Sequence, residues 1–285
     1  MVMSAGEIEY VREGVELGLR EDGRHCHEYR PVRAEMGNIP QATGSARIQI
    51  GGTDVVVGVK VELGIPDPFH PDCGKIEFSV DFSPCGSPDF EGAEGEQKGG
   101  GIAQALARAW KLGPDGKACG VDLNPLGIIS GKTCLVIYVD SMVLNTGGNV
   151  LDAISFGARV ALFNMPIPHV EVSYEEGSNI PEIEVDDDPE RCLTLDASSS
   201  PVFITVGQIG KQFVVDMSAM EEICAPVTLN VAVNSKGNVC GISKNGLEPM
   251  HPTIVQEMTE TAQRLGNKVI NSLDEFLLNR METAN

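Results

Sequence analysis

The sequence predicts an α+β fold of two related βα layers, mixed sheets packed with helices and closed by a long C-terminal helix. Three observations carry this. Strand patterns precede helix patterns in each half, no regular strand-helix alternation appears, and an acidic segment separates the halves. Glu7 to Arg20 sets Ile8, Val11, Val15 and Leu19 at helical spacing despite Gly14, an amphipathic N-terminal lid. SARIQI then alternates, Gly51-Gly52 supplies a tight turn, and TDVVVGVKVE returns rich in β-branched residues, which together predict a hairpin.

Lys75 to Ser83 reads as a third strand, and Pro84 to Gly101 has the composition of a loop. The next helix is expected over Ile102 to Leu112, with Ala103, Leu106, Ala107 and Trp110 on one face and Arg108 and Lys111 off it. Thr133 to Leu144 is too apolar for an exposed strand and belongs in the centre of a sheet. Asn145 to Gly148 turns into a helix over Val150 to Asn164, apolar almost all round and so buried, which Pro166 and Pro168 terminate. Glu171 to Arg191 holds nine acidic residues and one basic residue, the composition of a solvated connector and domain boundary. Beyond it come strands at PVFITVG, KQFVVDM, APVTLNVAVN and NVCGISK. A helix carrying Ile254, Met258, Ala262, Leu265, Val269, Leu273 and Leu277 closes the chain.

The 285 residues, 42% of them hydrophobic, suffice for one large or two modest domains. We expect a lead-in over 1–30, a first domain over 31–190 and a second over 191–285. The formal charge of −20 argues against an isolated nucleic-acid-binding module, which needs a basic surface. No window reaches the apolar length of a membrane span and no signal peptide opens the chain, which points to nucleus or cytosol. Eight scattered cysteines with no CxxC pair read as reduced thiols. His25-Cys26-His27 places neighbouring side chains on opposite sides of an extended chain, so no metal is expected there.

Dinucleotide, P-loop, zincin and hydrolase motifs are absent from the sequence. Gly99-Gly100-Gly101 before a helix could cradle an anion, but no Lys or hydroxyl completes the cradle, and a flexible loop exit is the simpler reading. Asn145 to Asn149 also precedes a helix; taken alone it is a glycine turn with Asn149 as N-cap. Asp216, Glu221 and Glu222 could hold Mg²⁺ or act as acid and base, yet nothing in the sequence makes them converge, and a solvated acidic turn is expected.

Several segments together resemble the RNase PH-like family over nearly the whole chain. They are REDGRHCHEYRPV (Arg20 to Val32), ATGSARIQIGGTDVVVGVKVELG (Ala42 to Gly64), KIEFSVDFSPCGSPDFEG (Lys75 to Gly92), LVIYVDSMVLNTGGNVLDAISFGARVALFNMPIP (Leu135 to Pro168) and VVDMSAMEEICAP (Val214 to Pro226). The likeness is strongest to ring subunits of the eukaryotic RNA exosome. Active members of the family carry Gly-Thr-Arg at the turn into the buried helix, where Thr and Arg hold the attacking phosphate; the matching residues here are Gly148, Asn149 and Val150. Active members also carry two aspartates six residues apart, and the matching residues here are Glu222 and Thr228. A valine in place of a guanidinium fork removes bidentate phosphate recognition. Each lost electrostatic contact of this kind costs on the order of 100- to 1000-fold in rate.

The resemblance therefore implies a non-catalytic structural subunit of the exosome core ring, with no cofactor and no metal. It implies pairing with other RNase PH-like subunits in a six-membered ring, RNA-binding cap subunits, and an associated exoribonuclease reached by RNA through the central pore. It also implies residence in nucleus, nucleolus and cytoplasm, with roles in rRNA maturation and mRNA turnover. Arg108 and Lys111 are the candidate RNA contacts, with solvent-exposed helix charges as the plain alternative. The rival expectations are an active phosphorolytic 3′-to-5′ exoribonuclease using Glu222, and an acidic metabolic enzyme or protein-binding module with no RNA connection.

Overall fold

A computed structural model describes residues 3–86, 90, 92–111, 120–163, 165–174, 181–186 and 191–284. Ser4 accepts from the Glu7 N–H and Glu7 reaches back to the Ser4 N–H, a capping box that starts α1 (Ala5–Glu16). The helix ends four residues earlier than the sequence pattern suggested, at the left-handed Gly18, and Leu19 is left exposed. Its Val15 packs with Ile209, Val214 and Met217, which makes α1 a cover for the second half of the chain.

The first sheet contains β1 (Val32–Met36), β2 (Gly44–Ile50), β3 (Thr53–Gly64), β4 (Lys75–Phe82), β5 (Gly127–Ile129) and β6 (Thr133–Asn145). Its order is β1-β2-β3-β6-β4, with β5 on β6, and β4 is parallel to β6 while the other pairs are antiparallel. The Gly51-Gly52 hairpin and the central position of β6 follow the sequence reading. Residues buried on alternate positions of β2 and β3, Ile48, Ile50, Val55, Val57 and Val59, form the face that receives α3 (Val150–Leu162). Gly157 allows that approach, since a Cβ there would sit 2.6 Å from Val57 Cγ2.

The expected loop over Pro84 to Gly101 is overturned: α2 (Ala93–Ala109) already includes Gly99-Gly100-Gly101. Those glycines are inside a helix, so their amides are spent on helix hydrogen bonds and offer no anion cradle. A Cβ at Gly99 would collide with the Val80 carbonyl oxygen, so the glycine serves close packing of α2 on β4. Leu112, the expected end of this helix, lies outside the described residues, as do Cys119, Asp89 and Glu91.

β7 (Pro166–Ile167) pairs with β10 (Leu193–Thr194). The acidic connector is also more ordered than its composition suggested, because β8 (His169–Tyr174) and β9 (Pro181–Asp186) form an antiparallel hairpin within it. Alternating Val170, Val172, Ile183 and Val185 supply the β-branched pairs that an acid count conceals. The second sheet runs β12-β11-β13-β14, built from β11 (Val202–Ile209), β12 (Gln212–Val215), β13 (Val227–Val233) and β14 (Val239–Asn245). The short α4 (Ala219–Cys224) begins with a second capping box, Ser218 with Glu221. α5 (Pro252–Ala284) lies on β11 and β13. α3 is buried along its length after Val150, and its Phe156 and Ile154 join both sheets in one continuous core.

Candidate functional site

The turn Gly147-Gly148-Asn149, the end of β12 and α4 meet under the N-terminus of α3. Gly148 has φ 92°, and a Cβ there would collide with the Met217 carbonyl oxygen, so this close approach requires glycine. Asn149 sits at the N-cap position, as expected, but in the left-handed region at φ 60°, and its side chain does not cap the helix. Its Nδ2 instead donates to Asp152 Oδ2 and to Asp216 Oδ1, both at 3.0 Å.

Asp216 is fully buried and also left-handed, at φ 45°. Such a backbone state in a non-glycine residue persists only where its surroundings over-determine it, and here they do. Oδ2 accepts from the Arg30 N–H at 2.7 Å, from Arg30 Nε at 2.8 Å and from Arg24 Nη1 at 3.0 Å, while Oδ1 accepts from Arg30 Nη2 at 2.7 Å. Burial works to raise the Asp216 carboxyl, but the hydrogen bonds and charge of Arg30 outweigh it and hold the group below the ordinary range. The remaining Arg30 donors go to the carbonyls of Gly147 at 2.7 Å and Gly148 at 3.1 Å.

Beside this pair, Arg20 makes a buried two-pronged bridge to Glu221, with Nε to Oε1 at 2.8 Å and Nη2 to Oε2 at 2.6 Å. Glu222 Oε1 accepts the Asn149 backbone N–H at 2.7 Å, so a carboxylate of the protein itself occupies the positive end of α3. Burial pushes the Glu222 carboxyl above its usual value, with the Asn149 N–H and the charge of Arg30 partly pulling it back. On the first turn of α3, Asp152 accepts from Tyr29 Oη at 2.7 Å, Thr205 Oγ1 at 2.7 Å and Thr205 N at 3.0 Å. Burial pushes its carboxyl up to about 7 against those hydrogen bonds.

The expectation of a solvated acidic turn at Asp216, Glu221 and Glu222 holds for the exposed Glu222 and is corrected for the other two. Asp216 and Glu221 are buried, because arginines 186 and 201 residues earlier in the chain pair with them, while Glu222 is an exposed residue whose Oε1 reaches the Asn149 N–H.

Above this floor lies a cleft of about 780 Å³ between α2, the α3 N-terminus, α4 and the β13–β14 edge. All five positions singled out from the sequence, Gly148, Asn149, Val150, Glu222 and Thr228, line it. Arg108 lines it too, together with Lys98 and Lys244, which sequence reasoning missed; Lys111 is not among the lining residues. Lys98 Nζ stands 5.4 Å from the centre of the Phe90 ring, and Lys244 Nζ donates to the Gly246 carbonyl at 2.8 Å. The cleft thus has a neutral or acidic floor and cationic sides, a distribution suited to a polyanion passing over it and unsuited to gripping a phosphate at its base.

His25, Cys26 and His27 form no ligand cluster among the described residues, and His27 Nδ1 contacts Arg264 Nη2 at 3.1 Å.

The chain matches two family models: "3' exoribonuclease family, domain 1" over residues 28–168 and "3' exoribonuclease family, domain 2" over residues 199–264. A Dictyostelium discoideum protein named as the exosome complex exonuclease RRP42 is 34% identical, over 96% of this chain and 98% of that protein. The exosome complex component Rrp42 of Thermococcus kodakarensis is 32% identical, over 94% of each. Among solved structures, a chain of the Archaeoglobus fulgidus exosome with RNA bound to the active site superposes with TM-score 0.78 at 28% identity, covering 93% of this chain and 97% of that one. A chain of an archaeal exosome core gives 0.75 at 26% identity, covering 94% and 96%.

Proposed function

The chain belongs to the RNase PH-like 3′ exoribonuclease family, and from that premise we propose that it is a non-catalytic ring subunit of an RNA exosome core. In this role it pairs with other RNase PH-like subunits around a six-membered ring. Cap subunits that bind RNA sit above, and RNA threads the pore toward an associated exoribonuclease. The subunit contributes walls and interfaces to 3′-to-5′ RNA processing and degradation, in nucleus and cytoplasm.

One observation carries the absence of catalysis. The place at the α3 N-terminus where an attacking phosphate would need amide and guanidinium donors is taken from within, the Asn149 N–H by Glu222 and the Arg30 fork by Asp216. The Val150 side chain offers no donor on the other side. A phosphate arriving there would meet the Glu222 carboxylate and would have to break a buried ion pair to find its donors. Arg108, Lys98 and Lys244 remain as the cationic side of the cleft, where contact with RNA is a matter of charge without base selection.

Native mass measurement of complexes isolated through this chain tests the assembly. The expected result is a hetero-oligomer containing several different RNase PH-like subunits. Recovery only as a monomer or a homo-oligomer would overturn the reading.

A further inference from the structure

The β8–β9 hairpin carries a second cluster of chemistry-bearing side chains, none of which lines the cleft. His169 and Asp186 are cross-strand partners in its register, and Glu171 lies two positions along from His169, so strand alternation sets all three on one face. One imidazole nitrogen, one Glu171 oxygen and one Asp186 oxygen lie within 4.8 Å of one another. His169 Nδ1 is buried and makes no hydrogen bond among the described residues, one of five buried side-chain polar atoms in that state and the one that belongs to this cluster.

We propose that His169, Glu171 and Asp186 form a site for a divalent transition-metal ion, with zinc the best fit. One imidazole and two carboxylates are borderline-soft and hard ligands in the ratio that zinc accepts, and three protein ligands leave a fourth position for water. The local field favours a dication, because Glu171 to Arg191 holds nine acids and a single basic residue. That residue, Arg191, is the present counter-charge: its Nη1 stands 3.1 Å from Asp186 Oδ2 and 3.6 Å from Glu171 Oε1. Its side chain is 61% exposed, so the pair is a weak surface contact and the long stem is free to withdraw when a metal enters. Bound metal would tie together the strands of a two-stranded hairpin, an element of marginal stability by itself.

The test uses the full chain with reduced thiols and Co²⁺ as a spectroscopic stand-in for zinc, followed by Zn²⁺ in thermal unfolding. The site predicts one equivalent of Co²⁺ with visible bands of nitrogen and oxygen ligation and no thiolate charge-transfer band. His169→Ala and Asp186→Asn should each weaken binding by at least about tenfold. Arg191→Ala, by removing the competing cation, should strengthen binding by about two- to fivefold. Zn²⁺ should raise the Tm of the wild type and leave that of His169→Ala unmoved. The proposal is overturned by failure to bind either metal, by a thiolate band, or by binding that His169→Ala and Asp186→Asn leave unchanged.

Discussion

The floor and the sides of the cleft carry charge in opposite ways. On the floor, the buried Asp216 and Glu221 are paired with Arg30 and Arg20, whose remaining hydrogen bonds go to backbone carbonyls. On the sides, Lys98 and Arg108 belong to α2 and Lys244 to the end of β14, all facing the cleft. Charge buried and paired fixes a local structure, and removing one member costs stability. Charge left facing solvent costs nothing to keep and remains available for a polyanion. A site built to catalyse phosphate transfer needs available donors at its floor, and the proposed non-catalytic role rests on their lying at the rim instead.

The comparison breaks first at Arg30. Arg30→Met strands the Asp216 carboxylate without its principal partner, and we expect a loss of about 3–5 kcal/mol in denaturant unfolding. Arg20→Met should cost a similar amount through Glu221, and a loss below about 1 kcal/mol in both would show that the floor is not the structural element described here.

Asp152 gives the next largest effect and a pH signature. Its folded carboxyl titrates near 7 against an ordinary 3.8, so between those values the folded protein holds a proton that the unfolded chain has released. Stability is therefore greatest at the acid end of that window and falls as pH rises toward 7. Asp216 works in the opposite sense: its folded carboxyl lies below the ordinary value, so its contribution is present above that value and is lost as pH falls through the folded one. Asp152→Asn should flatten the fall between about pH 4 and 7 while costing about 1–3 kcal/mol through donors left unpaired at Tyr29 or Thr205. An unchanged pH profile in that variant would remove Asp152 from the account.

The rim should behave differently. Lys98→Ala, Arg108→Ala and Lys244→Ala should each shift stability by no more than about 0.5 kcal/mol. In the assembled complex they should weaken RNA crosslinking to this subunit and reduce the salt dependence of RNA binding. Crosslinking that survives the triple substitution would place the RNA path elsewhere.

Local pattern made much of the fold legible in the sequence. The Gly51-Gly52 hairpin, the central β6, the buried α3, the strands of the second half and the closing α5 all follow from period, turn residues and apolar runs. Two elements were hidden by composition. Glycines at 99–101 and acids at 94 and 96 mimic a loop, yet α2 needs the Gly99 to lie close to Val80, and its acids belong to the first helical turn. The β8–β9 hairpin hides its alternating Val and Ile beneath an acid count. At the site, the positions matched through the family resemblance do gather around one cleft. The charge network beneath them was not legible, because its pairs span some 190 residues and no spacing rule links Arg30 to Asp216 or Arg20 to Glu221. Lys98 and Lys244 were likewise invisible until α2 met β14.

The most direct test of the central claim is phosphorolysis. The purified chain, and the same chain in its native complex with the associated nuclease inactivated, would be incubated with oligo(A), Mg²⁺ and inorganic phosphate. The account predicts no nucleoside diphosphate attributable to this subunit, and no change when Glu222 is replaced in Glu222→Gln. Diphosphate release by the purified chain, or release in the complex that Glu222→Gln abolishes, would contradict it and return the cleft to the class of working active sites.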